Sequence, residues 1–523
     1  MREIKESWFA PRRRLEKALF DETALSRITE LIACDPMPVN ALGSFGESLF
    51  ALALSAGRLD VCSYLLKCGA DANRENIRGD TPLAAYGQVI NGAQILQAID
   101  LGARIERDSR RKPVEPDQER IAILSELAAH MIGNFWNNRI ELLSIVSRQG
   151  VSLIEANPGD EASPIWWAAA TGDREVFNRI IEIEGGIGDA NQTGRHDAPL
   201  LSAAVSGGDR SIIEQVIEAG GRDAADAFIG RTSFMLACAS DDLEVMAMVG
   251  DAGGEVTAGD EYGENALMYA IEAKARTVAP FMVEHHIGVW HRDHDGASTL
   301  AKAIEEGWFE LAQALENVGV PVAETDAAGK PNLLRAVKAD NKPMYEWVCD
   351  RYRRSFGSLP FHEWVPDTGR LLRTAAFLED TDILEDLLER GAQIDGRNSN
   401  GETALYRVAG RPAHNDSAEI LLEWGADPCA ETGEGETPIS RAVRKGNLWF
   451  VEIAVDEYGV SPDFCDGEGA PLICTAAGEG EDHMVELLLA LGADRNPADM
   501  RGRPLEEYQD QATEFEGRIR LYD

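Results

Sequence analysis

The residues best suited to chemistry fall within one short stretch of the sequence. They are His285, His286, His291, Asp293, His294 and Asp295. Imidazole and carboxylate groups are the side chains that bind zinc and other transition metals. A metal-dependent enzyme built on this stretch is therefore one hypothesis of function, and it can be judged only from the elements that would position these side chains.

Those elements are set by an internal repeat. Glycines at Gly230, Gly263, Gly296 and Gly329 recur with a period of 33 residues, and each is followed four places later by a leucine-like residue. A fixed period of this size predicts stacked structural units, each packing only on its neighbours. The leucine-like position extends in both directions, at Leu15, Leu49, Leu83, Leu124, Ile165, Leu200, Phe234, Leu267, Leu300, Leu333, Leu372, Leu405, Ile439, Leu472 and Leu505.

This register places the histidine-rich stretch on a turn. Residues 289–296 occupy the same place as residues 71–79, the link between two units, where aspartate and asparagine are common turn residues. Their side chains would alternate in direction, whereas metal ligands must converge. The sequence also lacks a glycine-rich phosphate loop and a G-x-S-x-G turn. We therefore predict no metal, no cofactor and no catalytic residue, and the enzyme hypothesis ranks last.

Each unit follows the same pattern of helix signals. Thr81-Pro82, Ser163-Pro164 and Thr437-Pro438 each combine a capping side chain with a proline suited to the first helical turn. A second run then carries apolar residues at helical spacing and ends in glycine, as at Gly69, Gly391, Gly425 and Gly492, where a left-handed C-cap belongs. The links between units are polar and predict hairpin-like turns.

The unit resembles the ankyrin repeat. The resemblance rests on Gly79-Asp80-Thr81-Pro82-Leu83-Ala84-Ala85, on Leu65-Leu66-Lys67-Cys68-Gly69-Ala70-Asp71, and on Gly401-Glu402-Thr403-Ala404-Leu405 with Ile420-Leu421-Leu422-Glu423-Trp424-Gly425-Ala426-Asp427. It implies an all-α solenoid of helix-turn-helix units joined by β-hairpin loops. It also implies a protein-binding scaffold whose partner meets a concave face built from hairpin tips and first helices.

The repeat divides the chain into seven segments. They are a degenerate N-terminal capping unit (1–43), ankyrin repeats (44–104), a divergent repeat with an inserted loop (105–160), ankyrin repeats (161–335), a divergent repeat with a basic and aromatic insertion (336–370), ankyrin repeats (371–500) and a degenerate C-terminal capping unit (501–523). The aromatics of the second insertion either form a functional loop or fold back onto the core. The array is either one stack or two that meet near residues 340–370.

Composition bounds the choice of partner. With 50 basic and 90 acidic residues, the formal charge of −40 disfavours nucleic acid and anionic membranes and favours a basic protein. The eight cysteines are scattered, which predicts buried thiols in a reducing compartment. The sequence shows no signal peptide and no long apolar run, so we predict a soluble cytoplasmic protein.

The register also gives the exposed positions of the binding face. We predict contacts from the slots beside each repeat glycine and at the end of each first helix: Phe228, Ile229, Arg231, Glu261, Tyr262, Glu264, Glu272, His294, Asp295, Glu305, Glu306, Phe377 and Glu436. Further slots hold Lys330, Lys338, Glu434, Arg444 and Lys445. The central run from Glu261 to Glu306 is acidic and contains an aromatic, Tyr262, which is a pattern typical of a binding hot spot.

Two functions remain open for such a surface. One is a general adaptor, and the other is an inhibitor or immunity protein that occludes a toxin or a nucleic-acid-acting protein. An adaptor predicts several partners of modest affinity, whereas an inhibitor predicts one partner at fixed stoichiometry. The oligomeric state is not specified by the sequence.

Overall fold

The computed structural model describes residues 12–21, 23–35, 38–43, 46–104, 116–156, 162–365, 367–467 and 469–495. In these ranges the regular structure is helical, apart from isolated antiparallel bridges in the links, such as Thr193 with Pro199 and Thr325 with Pro331. The predicted all-α architecture is thus confirmed. The chain divides into two compact units, residues 1–281 and residues 282–523, so the division does not fall at residues 340–370.

Residues 1–281 contain short helices in pairs. They are α1 (12–20), α2 (Leu25–Ala33), α3 (Leu49–Ser55), α4 (Leu59–Lys67), α5 (Pro82–Tyr86), α6 (Gly92–Asp100), α7 (Pro116–Gly133), α8 (Arg139–Arg148), α9 (Pro164–Thr171), α10 (Arg174–Glu184), α11 (Leu200–Gly207), α12 (Arg210–Glu218), α13 (Ser233–Ala239), α14 (Leu243–Asp251) and α15 (Ala266–Glu272). The division point lies within α16 (Val278–Glu284).

The same pairing continues in residues 282–523. The helices are α17 (Thr299–Glu305), α18 (Phe309–Asn317), α19 (Asn332–Lys338), α20 (Lys342–Phe356), α21 (Phe361–Trp364), α22 (Thr368–Leu378), α23 (Thr381–Glu389), α24 (Ala404–Ala409), α25 (Asn415–Glu423), α26 (Pro438–Arg444), α27 (Leu448–Asp456), α28 (Leu472–Gly478) and α29 (Asp482–Ala490).

The first helix of each pair packs on the first helices of neighbouring pairs. In residues 1–281, α9 contacts α11 and α13 contacts α15, and in residues 282–523, α22, α24 and α26 pack in series. Second helices form their own series, such as α23, α25 and α27. The leucine-like register residues lie between these layers. All fourteen that fall in the described ranges are buried, with at most 4% of their surface exposed, and Leu505 lies outside those ranges.

The predicted caps are present. Thr81, Ser163 and Thr437 each accept a hydrogen bond from the amide three residues later, and a proline follows each of them. Gly69, Gly391, Gly425 and Gly492 have φ between 86° and 99°, in the left-handed region that favours glycine. The helix boundaries therefore follow from local sequence.

Most of the described part of the basic and aromatic segment, residues 351–365, is helical where we expected an inserted loop. Its first residues extend α20, and α21 follows after a short turn. Tyr352, Phe361 and Trp364 are buried, with 1%, 6% and 8% of their surfaces exposed. The alternative in which the aromatics fold back onto the core is confirmed, because large rings are stabilised by burial.

Other expectations are met only partly. Residues 105–115 of the predicted first insertion and the C-terminal capping unit 501–523 lie outside the described residues. Four cysteines, Cys62, Cys238, Cys349 and Cys474, are buried, but Cys34, Cys68 and Cys465 are exposed. Within the described ranges, no helix is both long and apolar enough to cross a bilayer.

Candidate protein-binding surface

A buried carboxylate shapes the hairpin tip at residues 226–231. The Oδ1 atom of Asp226 accepts hydrogen bonds from the amides of Phe228, Ile229 and Gly230 at 3.1, 3.0 and 3.1 Å, and its Oδ2 accepts from Arg231 at 3.2 Å. Burial alone would raise the pKa of Asp226, but the bonds from Ile229 and Arg231 outweigh it and lower the pKa. The ionised side chain therefore fixes the tip backbone.

Neighbouring tips are joined by backbone hydrogen bonds. Each joining bond runs from an amide of one tip to a carbonyl of the tip before it, at 2.8 or 2.9 Å. In residues 1–281 the bonds are Ala227 to His196 and Glu261 to Ile229, and in residues 282–523 they are Ala327 to Asp295, Gly433 to Asn400 and Gly467 to Gly435. Each of these bonds joins two successive tips into a connected edge.

The predicted contact residues of the first unit lie on this edge. Phe228 is 62% exposed and stacks on the His196 ring, with centroids 4.9 Å apart, while Ile229 and Arg231 are half-buried beneath it. Tyr262 is 60% exposed, and its hydrogen bond with Glu261 raises its pKa.

Two further glutamates complete this group. The amide of Glu264 donates to Asp260 at 2.8 Å, and Asp260 also accepts from the Tyr269 hydroxyl at 2.9 Å. Glu272 is exposed at the end of α15. The structure thus brings Glu261, Tyr262 and Glu264 onto one tip and places Glu272 at the far end of the following first helix.

The acidic positions of the second unit lie on a tip and at the end of a first helix. His294 and Asp295 are exposed on a tip, and Glu306 is the half-buried C-cap of α17. Glu305 lies 2.8 Å from the Lys330 ammonium and 3.5 Å from Nε of Arg335. These cations lower its pKa although burial opposes them. The charge of Glu305 is compensated, because the next repeat places Lys330 and Arg335 beside it.

The histidine-rich stretch does not assemble a ligand set. Among the described residues, no group of three or more His, Cys, Asp or Glu side chains is placed to hold a metal ion. Asp293 accepts the Ala297 amide at 2.8 Å, as a turn residue does, and Arg292 pairs with Glu324 at 2.6 Å. The stretch therefore has the hairpin geometry that the register predicts.

Comparison with known proteins agrees with this geometry. The family profile described as ankyrin repeats, in three copies, matches residues 371–466. The chain contains ankyrin repeats. It is also similar to the ankyrin repeat and SAM domain-containing protein 6 of Danio rerio, with 26% identity over 137 residues. That alignment covers 26% of this chain and 17% of the relative, so the chain spans only a small part of the relative's length.

The matched ankyrin repeats contain a set of cations that the sequence analysis missed. The guanidinium groups of Arg407 and Arg411 lie 4.9 and 4.7 Å from the centroid of the Phe377 ring, and Arg441 lies 4.5 Å from that of Tyr406. Phe377 itself was predicted, but its cation partners were not. A signal was available, since Arg373, Arg407 and Arg441 are spaced by 34 residues.

The last predicted contact, Glu436, belongs to a polar network beside these cations. It pairs with Arg444 and accepts the Tyr406 hydroxyl, and Arg444 also reaches Asp466 at 3.3 Å. The negative charge of Glu436 is thus compensated by Arg444. As with Glu305, the register gave the position of Glu436 in its repeat but not the cation packed against it.

Proposed function

We propose that this chain is a protein-binding scaffold without catalytic chemistry of its own, and that its hairpin tips and first helices contact the partner. One observation carries the proposal: Phe228 and Tyr262 stand 62% and 60% exposed on tips whose backbones are bonded to neighbouring tips. Exposed aromatic side chains on a preorganised backbone lose little conformational entropy on binding. Ankyrin repeats typically serve as protein-interaction modules, which supports the same function.

The finer part of the proposal concerns a basic partner. Glu261 and Glu264 flank Tyr262 on its tip, Glu272 is exposed at the end of the following first helix, and the chain carries a formal charge of −40. Acidic groups around an aromatic anchor speed association with a basic surface. Added salt screens this attraction and weakens the binding. Because the charge of Glu305 is already compensated by Lys330 and Arg335, we assign Glu305 a smaller contribution to partner binding than the glutamates near Tyr262.

A charge reversal with a matched control tests this surface. We expect the variant with Glu261→Lys and Glu272→Lys to bind basic partners at least about tenfold more weakly, since both charges would face the partner. The control carries Glu214→Lys and Glu218→Lys on α12, a second helix, and changes the net charge equally. Proteins retained from extract by the immobilised full chain are compared at low and high salt, and equal losses in both variants contradict the assignment.

The same measurement separates an adaptor from an inhibitor. Several partners retained at modest affinity identify an adaptor. One basic partner at fixed stoichiometry, whose own activity is lost on binding, identifies an inhibitor or immunity protein. Retention of no protein by the wild-type chain contradicts the scaffold proposal itself.

A further inference from the structure

Charge is segregated between the two helix layers of the matched repeats. The first helices α22, α24 and α26 contain five arginines and no acidic residue. The second helices α23, α25 and α27 contain nine acidic residues and no basic one. In a chain with 90 acids and 50 bases, this separation gives one face a charge opposite to that of the whole molecule.

Several cations on this face have no carboxylate partner. We name Arg370, Arg407, Arg411, Arg441 and Lys445 the arginine stripe. In the described part of the chain none of the five forms an ion pair, whereas their neighbours Arg373 and Arg444 pair with Asp367 and Glu436. The Nε atom of Arg441 is buried and lacks a hydrogen-bond partner among the described residues. A buried donor left without a partner is costly, and a bound acceptor would remove that cost.

Three of the five stripe cations pack on aromatic rings. Two guanidinium groups share the ring of Phe377, and Arg441 lies over Tyr406. A guanidinium stacked on a ring keeps its in-plane N–H donors available for a carboxylate, and its lost mobility lowers the entropy cost of binding. Two cations on one ring also repel each other, and an anion placed between them would relieve that repulsion.

The surrounding electrostatics show that the cations lie close enough to interact. Burial lowers the pKa of Arg373, and the charges of Arg407 and Arg370 lower it further. Burial, Lys330 and Arg370 act in the same direction on the pKa of Lys338, which is lowered as well. Like charges thus continue from α19 to α26 along the first-helix layer, which favours an elongated anion over a single ion.

We propose that the arginine stripe binds an acidic segment of a protein partner in extended conformation. This inference rests on the scaffold function proposed above. It adds a second class of partner, which is acidic where the first is basic. Neighbouring first helices lie about 8–10 Å apart. An extended chain in the polyproline II conformation has three residues per turn and rises about 3.1 Å per residue, so every third side chain returns to the same face after about 9 Å. A segment that runs along the layer would therefore meet each helix with a glutamate or aspartate at every third residue.

A protein segment fits this face better than nucleic acid does. The stripe is bordered by the acidic residues Glu402 and Glu434 on the hairpin tips and by the acidic second helices. A polyphosphate wider than the first-helix layer would approach these carboxylates and be repelled. An extended peptide is narrow enough to stay on the layer, and its carboxylates can form bidentate pairs with arginine.

The test measures binding of a synthetic peptide to the full chain by fluorescence anisotropy. The probe is a labelled peptide of about 15 residues with glutamate at every third position, which places the glutamates on one face of a polyproline II chain, and a lysine version serves as the charge control. Arg407→Gln with Arg411→Gln should weaken binding about tenfold or more, because the two guanidinium groups that would donate to the peptide carboxylates are removed. Arg353→Gln with Arg354→Gln on α20 removes two exposed charges outside the stripe and should leave it nearly unchanged.

A conservative variant separates geometry from charge. Arg407→Lys with Arg411→Lys keeps the net charge but loses the planar fork, and we expect an intermediate weakening with an unchanged salt dependence. Affinity that is equal in the wild-type chain and the glutamine variant overturns the proposal. So does a thymidine oligonucleotide of similar charge that binds more tightly than the peptide, or self-association of the chain that the glutamine variant abolishes.

Failure here is distinguishable from failure of the scaffold function. If the acidic peptide does not bind but basic partners are still retained through Glu261 and Glu272, only the arginine stripe is misassigned. If the wild-type chain retains neither acidic nor basic protein partners, the scaffold function is wrong.

Discussion

Single buried ion pairs hold the hairpin tips in place, and Arg335 makes the clearest case. Its side chain is 3% exposed, it pairs with an Asp326 side chain that is 2% exposed, and it donates to the Lys330 carbonyl at 2.8 Å. The ion pair and the backbone bond together join α19 to its tip. Removing one partner would leave the other charge buried and uncompensated.

Arg335→Met should therefore lower the free energy of unfolding by about 3 kcal/mol, since Asp326 loses its buried partner. Chemical denaturation measures the change. The control is Arg353→Met on α20, whose pair with Asp350 is largely exposed and should contribute less than about 1 kcal/mol. Similar losses in the two variants would show that the tip does not depend on this pair.

The pH dependence of stability follows from the same carboxylate. Burial raises the pKa of Asp326, but the amide of Lys330 and the Arg335 side chain outweigh it, so the folded-state pKa is depressed. Its contribution is then complete above the unfolded value of about 3.9 and is lost as the pH falls through the folded value. Asp326→Asn should be destabilising at pH 7, and the difference from wild type should shrink as the pH approaches about 2.

Thermal unfolding across this pH range measures the effect. As a control, Asp251→Asn changes an exposed side chain at the end of α14 and should leave the free energy of unfolding at pH 7 nearly unchanged. A difference for Asp326→Asn that stays constant down to low pH would mean that the carboxylate is not stabilised in its charged form.

Between elements, a side-chain amide joins successive repeats. Asn73 donates to the Gly102 carbonyl at 3.0 Å and accepts the Arg104 amide at 2.7 Å, and Asn191 makes the same pair of bonds with Gly220 and Arg222. Asp395 occupies the equivalent position and only accepts, from the Asp427 amide at 3.1 Å. Burial raises its pKa, as does the charge of Asp427.

Asp395→Asn should therefore stabilise the chain by about 1 kcal/mol at pH 7, because an amide adds a donor for the Gly425 carbonyl. A raised folded-state pKa means that the wild-type carboxylate is destabilising at high pH and harmless once protonated, so the gain should shrink as the pH falls. The reciprocal variant, Asn191→Asp, should lose stability at pH 7. A gain in both variants, read from denaturant midpoints, would contradict this reasoning.

Close helix contact depends on a glycine at the junction of α9 and α11. A Cβ added to Gly207 would lie 2.0 Å from the Ala169 carbonyl oxygen, whereas one added to Gly133, also the last residue of its helix, meets nothing within 4 Å. Gly207→Ala should destabilise by about 2 kcal/mol through overpacking. Gly133→Ala should stabilise by about 0.5 kcal/mol through reduced backbone entropy in the unfolded chain. Thermal unfolding of the two variants should shift in opposite directions.

These elements also show how far the sequence could predict the structure. The buried register residues, the Thr81 and Ser163 caps and the left-handed glycines depend on local spacing and backbone chemistry, which the sequence displays directly. The pairing of Glu305 with Lys330 and the packing of Arg407 on Phe377 join residues of neighbouring repeats whose side-chain directions the spacing alone does not give. The helices within residues 351–364 depend on burial of Tyr352 and Phe361, a tertiary effect that outweighs the local loop signals.

At the scale of the molecule, stability in a repeat array is a sum of contributions from units and their nearest neighbours. The two compact units, residues 1–281 and 282–523, each have their own series of packed helices. Local opening is then governed by nearby contacts, and a destabilising substitution should increase amide exchange mainly around its own site.

Gly207→Ala and Arg335→Met test this locality as a pair. Gly207→Ala should increase hydrogen exchange in α9 to α12 and leave α24 to α27 protected, because the strained contact lies between α9 and α11. Arg335→Met should increase exchange around α19 and its tip and leave α9 to α12 unchanged. Mass spectrometry of peptides from both variants gives the comparison, with Gly133→Ala as the neutral control. Uniformly faster exchange in either variant would show that the whole chain opens in one cooperative step, which nearest-neighbour coupling alone would not produce.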